Sequence, residues 1–65
     1  MKVYITWIFA DHDYMMTLEY NNPHAVNSFT KWVKANKSRI EAWHVCSEST
    51  GCSDEVGMAI KRIIK

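Results

Sequence analysis

The chain has 65 residues, 48% of them hydrophobic, and a formal net charge of +1 at pH 7. This length predicts a single domain over residues 1–65, and the apolar content argues against an intrinsically disordered chain. The nearly neutral charge argues against non-specific binding of a nucleic-acid backbone and against an acidic surface that mimics DNA.

Residues 2–20 predict a β-hairpin. Apolar residues alternate along both halves of this stretch, and successive side chains of a strand point to opposite faces. The residues expected on the buried face are Val3, Ile5, Trp7 and Phe9 in the first strand and Tyr14, Met16, Leu18 and Tyr20 in the second. Residues 10–13 are mostly polar and few enough to form the reversal.

An amphipathic helix is expected over Pro23–Asn36. Asn22 is a typical N-cap, Pro23 suits the first helical position, and Asn36 is a candidate left-handed stop. The expected apolar stripe, at spacings of three and four, consists of Ala25, Val26, Phe29, Trp32 and Val33. The residues Lys31, Lys34 and Lys37 fall on the opposite side.

The third strand is expected over residues 39–46, and the pattern leaves its buried face open. One side carries Ile40, Ala42, His44 and Cys46, and the other carries Arg39, Glu41, Trp43 and Val45. Each side offers enough apolar area to contact a core, so alternation alone does not choose between them.

Residues 47–53 predict a loop, after which Ser53 is expected to cap a second helix. Asp54 and Glu55 suit the first turn of that helix, where the helix dipole favours carboxylates. Its apolar stripe is the most regular of the chain and consists of Val56, Ala59, Ile60, Ile63 and Ile64.

Together these elements predict an α+β fold in the order β-β-α-β-α. The third strand fits best beside the first and antiparallel to it, which gives a three-stranded, mainly antiparallel sheet of order 2-1-3. Both helices are expected to cover the same face of this sheet. The expected architecture is a two-layer sandwich.

The opposite face of such a sheet stays open. The residues expected there are Tyr4, Thr6, Ile8, Met15 and Thr17, joined by Ile40 or Trp43 of the third strand. Exposed apolar patches mark partner or self-association surfaces, and the unpaired edge of the second strand offers backbone groups for strand addition. We therefore expect this face to bind a larger protein, or a second copy of the chain in a homodimer.

The alternative is a small RNA- or DNA-binding domain. Its expected contact residues are the basic row Lys31, Lys34, Lys37 and Arg39. Trp32 lies nearby in the sequence, and aromatic side chains can stack on bases of single strands. The glycine-rich aromatic signature of sheet-based RNA-binding domains is missing, so a solvated helix face is the simpler interpretation.

Few residues of the chain are candidates for catalysis or metal binding. His44, Cys46 and Cys52 lack the close ligand pair of zinc sites, and a fourth ligand has to come from His24 or Glu48. The sequence Asp11-His12-Asp13 is expected to be a solvated turn. We predict no metal, no cofactor and no enzyme activity, whereas free thiols and a Cys46–Cys52 disulfide both stay open.

In size, composition and element order the chain resembles small inhibitors encoded by bacteriophages, such as anti-CRISPR proteins and Dmd-type antitoxins. The likeness rests on the strand-strand-helix-strand start, with Trp7 in the first strand and a helix that opens at Pro23. It spans about two-thirds of the chain. Such proteins occupy a surface of a larger enzyme without chemistry of their own, so the resemblance implies an inhibitor of a host defence or nucleic-acid enzyme.

The expected cell compartment depends on two predictions, for a transmembrane helix and for a signal peptide. No run of 18 apolar residues is present, so no transmembrane helix is predicted. The apolar stretch after Lys2 is interrupted by Thr6 and stops at Asp11, without a small-residue cleavage site. We therefore expect no signal peptide and a cytoplasmic location, in the host cytoplasm for a phage-encoded protein.

Overall fold

A computed structural model describes residues 2–47 and 50–64, without the side chains of residues 50–53. The elements, in chain order, are β1 (Lys2–Ile8), β2 (Asp13–Glu19), α1 (Pro23–Asn36), β3 (Ala42–Ser47) and α2 (Thr50–Ile64). β1 is the central strand and pairs antiparallel with both neighbours, so the sheet order is β2-β1-β3. The predicted α+β class, element order and strand order are confirmed.

The hairpin turn lies one residue earlier than predicted. Asp13 belongs to β2, where it pairs with Ile8. The turn therefore covers residues 9–12, and the amide of Phe9 donates a hydrogen bond of 2.9 Å to the carbonyl of His12. The predicted strand end at Tyr20 also shifts, because β2 stops at Glu19.

Helix α1 has the predicted bounds and start. The side chain of Asn22 accepts hydrogen bonds from the amides of His24 and Ala25, at 3.0 and 3.3 Å. The predicted left-handed stop at Asn36 is wrong, because the cap residue is Lys37 in a right-handed conformation. Asn36 instead donates its side-chain amide to the carbonyl of Trp32, one turn earlier in the helix, at 2.8 Å.

Strand β3 starts at Ala42, three residues later than predicted. Residues 39–41 connect α1 to the sheet instead: Arg39 donates its amide to the carbonyl of Asn36, and Glu41 donates its amide to Ile8, both at 2.9 Å. Because residues 39–41 are not part of a strand, the alternation of inward and outward side chains that was predicted over residues 39–46 holds only from Ala42 onward. Ile40 consequently lies in the core, 9% exposed, although it has the same parity as the outward-facing residues of β3.

Helix α2 begins at Thr50, so the predicted loop over residues 47–53 is largely helical. Ser53 lies inside the helix, and the prediction that it caps the helix is wrong. Residues 50–53 have the sequence TGCS, which shows no apolar periodicity typical of a helix. The sequence pattern therefore indicated α2 only from residue 54 onward.

The core lies between the sheet and the two helices. Its buried residues are Val3, Ile5, Trp7, Phe9, Leu18, Phe29, Val33, Ile40, Val56 and Ile60. Most of the predicted inner residues are buried or half-buried, but Tyr14 at the hairpin end of the edge strand is 45% exposed. Trp7 is fully buried, and its Nε1–H finds no hydrogen-bond acceptor within the part of the chain that the structure describes.

Candidate partner-binding surface

The sheet face opposite the helices carries all five residues that were predicted for partner binding. Strand pairing sets them in rows, because residues opposite one another in a ladder point to the same face. Tyr4 of the central strand pairs with Thr17, and Thr6 pairs with Met15. Ile8 lies on the same face, two residues further along β1. We call this set of Tyr4, Thr6, Ile8, Met15 and Thr17 the open face.

The large apolar residues of the open face differ in exposure according to strand position. Met15 lies on edge strand β2 and is 74% exposed, whereas Tyr4 lies on central strand β1 and is 38% exposed. Thr17 is exposed, and the flanking strands leave Thr6 and Ile8 half-buried. Two large apolar side chains thus reach solvent on the same face of the sheet.

The third strand extends this face with residues other than those predicted. Ala42, His44 and Cys46 are exposed and pair with Ile8, Thr6 and Tyr4. Trp43 and Val45 pair with Trp7 and Ile5 and so point to the helices, which resolves the side of β3 that the sequence left open. Neither Ile40 nor Trp43 joins the open face. Alternation placed His44 and Cys46 on one side of β3, but only the pairing register shows which side.

The candidate metal and cysteine residues are dispersed or outside the described part. His44 and Cys46 share the open face, and Cys46 has a free, exposed thiol. The side chains of Glu48 and Cys52 lie outside the description. Over residues 2–47 and 54–64, no group of three or more His, Cys, Asp or Glu side chains could hold a metal ion.

The hairpin turn holds an exposed acid–imidazole pair. Nδ1 of His12 lies 2.7 Å from Oδ1 of Asp11, and the two side chains are 50% and 85% exposed. The hydrogen bond from His12, with contributions from the Asp11 backbone amide and the His12 charge, lowers the pKa of the Asp11 carboxyl below its usual 3.8. Phe9 packs against the imidazole, with the ring centroids 4.9 Å apart. The predicted solvated turn thus has a local hydrogen bond.

The basic row of the alternative interpretation lies on the outer side of α1. Lys31, Lys34 and Lys37 are exposed. The guanidinium of Arg39 instead lies over the ring of Phe9, 5.1 Å from the ring centroid, and donates a hydrogen bond of 3.4 Å to Asn36. The indole of Trp32 is half-buried and packs against Trp7, with the ring centroids 5.2 Å apart. Trp32, the aromatic residue considered for base stacking beside the basic row, is therefore engaged in packing within the protein.

A second feature was missed by sequence reasoning. An apolar groove with a volume of about 300 Å³ runs between edge strand β2 and helix α1. It is lined by Met16, Thr17, Leu18, Ala25, Ser28, Phe29 and Trp32, and we call it the β2–α1 groove. Most of its residues were predicted to face the core, whereas Thr17 was predicted on the open face and Ser28 was not assigned to either. Only the incomplete cover that α1 gives to β2 shows that a groove remains.

Comparison with known proteins does not assign the chain to a family. No protein-family model, no curated protein and no solved structure matches it. Within the described residues, no helix is both long and apolar enough to cross a membrane.

Proposed function

We propose that this chain is a small cytoplasmic protein-binding module whose open face covers part of the surface of a larger protein. The observation that carries the proposal is the exposure of Tyr4 and Met15 on the face that the helices leave uncovered. Tyrosine and methionine are enriched at protein interfaces, where their apolar area is removed from water.

A standard interface would occupy only part of the surface of this chain. A standard interface buries about 800 Å² on each partner, which is roughly a sixth of the 4507 Å² surface of this chain. The open face and its extension on β3 span all three strands, so a partner can contact all of them at once. Tyr4 at its centre, flanked by Thr17 and Cys46, is the residue that such a partner surrounds most completely.

We further propose that the target is a host defence enzyme or a nucleic-acid enzyme, and that the chain acts as an inhibitor from a phage or mobile element. This part of the proposal rests on the resemblance in size and element order to phage-encoded inhibitors. An inhibitor of this kind acts by covering a surface, so its effect depends on the open face and on no reaction of its own.

The experiment is affinity capture from a bacterial lysate, followed by mass spectrometry of the retained proteins. Wild-type protein is compared with the double variant Tyr4→Glu/Met15→Glu and with Met58→Glu, which changes an exposed methionine of α2. The proposal expects one protein retained by the wild type and by Met58→Glu and absent with the double variant. Equal retention by all three rejects the open face as the site.

A further inference from the structure

Edge strand β2 has outward backbone groups that the sheet does not use. Phe9 and His12 form a hydrogen-bonded pair at the turn. In an antiparallel ladder, such pairs alternate with pairs whose backbone groups point away from the partner strand. The register then directs the backbone groups of Tyr14, Met16 and Leu18 toward β1. The N–H and C=O groups of Met15 and Thr17 point to the outer edge, where they can bond an added strand.

The apolar groove lies directly beside this edge. The side chains of Met16 and Leu18 lie on the helix side of β2 and form one wall, and Phe29 and Trp32 of α1 form the other. Alternate side chains of a strand added to β2 point to the same side of the sheet as Met16 and Leu18. These side chains therefore enter the groove. The edge of β2 bonds the backbone of the added strand, and the neighbouring groove holds its side chains.

β2 lacks several of the common features that protect an edge strand from pairing. Natural edge strands commonly carry lysine, proline or a bulge that prevents strand addition. β2 has the sequence DYMMTLE, without lysine or proline. Its pairing with β1 runs without interruption from Glu19 to Asp13, so it contains no bulge.

Charge indicates which strand fits. β2 has an acidic residue at each end, Asp13 and Glu19, and no basic residue. In the two-fold pairing of two copies that sets Met15 of one opposite Thr17 of the other, Asp13 of one copy faces Glu19 of the other at both ends, and like charges directly opposite one another destabilise a ladder. A strand with a lysine or arginine opposite Asp13 gains an attractive pair at the same place.

We propose that β2 and the β2–α1 groove bind an extended segment of another protein, with apolar residues at alternating positions and a basic residue beside Asp13. This site shares Thr17 with the open face and otherwise uses the side chains on the opposite side of the sheet. The added strand becomes the fourth strand of the sheet, next to β2.

The test selects peptides from a displayed library of random 12-residue sequences on the wild-type protein. The enriched sequence is then synthesised with a fluorescein label, and its Kd is measured by fluorescence anisotropy. Thr17→Pro removes one outward N–H at a position where an edge strand tolerates proline. It is expected to weaken binding about five- to tenfold relative to Thr17→Val, a matched variant of the same position that keeps the N–H.

Ser28→Trp provides a second, independent variant, because Ser28 is exposed on α1 and lines the groove. It is expected to weaken peptide binding by filling the groove, and Tyr4→Glu on the open face is expected to leave peptide binding unchanged. Selection of no alternating peptide, or wild-type binding by both Thr17→Pro and Ser28→Trp, overturns the proposal. A dimer in sedimentation that Thr17→Pro dissociates also overturns it, because the occupant is then a second copy.

Discussion

The ring of Tyr14 stacks on the indole of Trp32, with the centroids 5.6 Å apart and the ring planes at 23°. This contact joins the end of edge strand β2 to helix α1. Trp32 also packs against Trp7 and Phe9, so the stack is the outermost part of an aromatic cluster at the hairpin end of the molecule. Tyr14 therefore contributes to packing although nearly half of it is exposed.

The stacked pair is expected to show measurable coupling. Aromatic pairs contribute about 0.5–1.5 kcal/mol beyond the area that they bury. A double-mutant cycle of Tyr14→Leu and Trp32→Leu, measured by urea unfolding, is expected to give a coupling free energy in that range. The matched control pairs Trp32→Leu with Tyr4→Leu on the opposite sheet face and is expected to give additive effects. Additivity in both cycles shows that the stack is not energetically significant.

Core truncation is expected to be severe. Ile5 and Ile60 are 1% and 0% exposed and lie on the two layers of the core. Ile5→Ala and Ile60→Ala are each expected to lower the free energy of unfolding by about 2–5 kcal/mol, because each leaves a cavity. A domain of marginal stability then loses most of its native population. Met58→Ala, at a residue that is 55% exposed, serves as the control with little change. Wild-type melting of either core variant contradicts the packing described.

The turn pair predicts a local pH dependence. The hydrogen bond from His12 lowers the pKa of Asp11 in the folded chain, so ionised Asp11 favours folding above its ordinary pKa of 3.8. This contribution disappears as the pH falls through the lowered pKa, and it is small because both groups are exposed. His12→Ala is expected to raise the Asp11 titration midpoint in carboxyl NMR spectra, while His24→Ala leaves it in place. An unchanged midpoint in His12→Ala excludes this cause.

The fold was largely predictable where periodicity and caps agree. The alternation of β1, the Asn22-Pro23 start of α1 and the apolar stripe of α2 each indicated the right element. The start of β3 was not predictable, because the amide of Arg39 bonds the nearby carbonyl of Asn36 and the amide of Glu41 bonds the distant carbonyl of Ile8, which redirects the chain. The start of α2 carries no apolar periodicity.

The candidate site was predictable only in part. Alternation in β1 and β2 identified the five residues of the open face. The contribution of His44 and Cys46 depends on the register of β3, which is a tertiary property. The β2–α1 groove depends on how far α1 lies from the strand edge, and no local pattern encodes that distance.

The basic row on α1 allows a direct comparison of the two candidate functions. If the open face binds the partner, Lys31→Gln/Lys34→Gln/Lys37→Gln is expected to retain the target as the wild type does. The matched control is Lys61→Gln/Arg62→Gln, which removes exposed basic residues of α2. Binding of labelled single-stranded RNA or DNA that weakens steeply with salt and disappears in the triple variant favours a nucleic-acid-binding domain instead.

The most direct test of the central claim combines folding and association in the variant Tyr4→Glu/Met15→Glu. Circular dichroism is expected to show the wild-type fold, because both side chains reach solvent, and the captured target is expected to be lost. For a homodimer through this face, the sedimentation mass is expected to halve. A double variant that unfolds places these residues in the core and contradicts the sheet orientation. A variant that folds and still retains the target contradicts the open face as the binding surface.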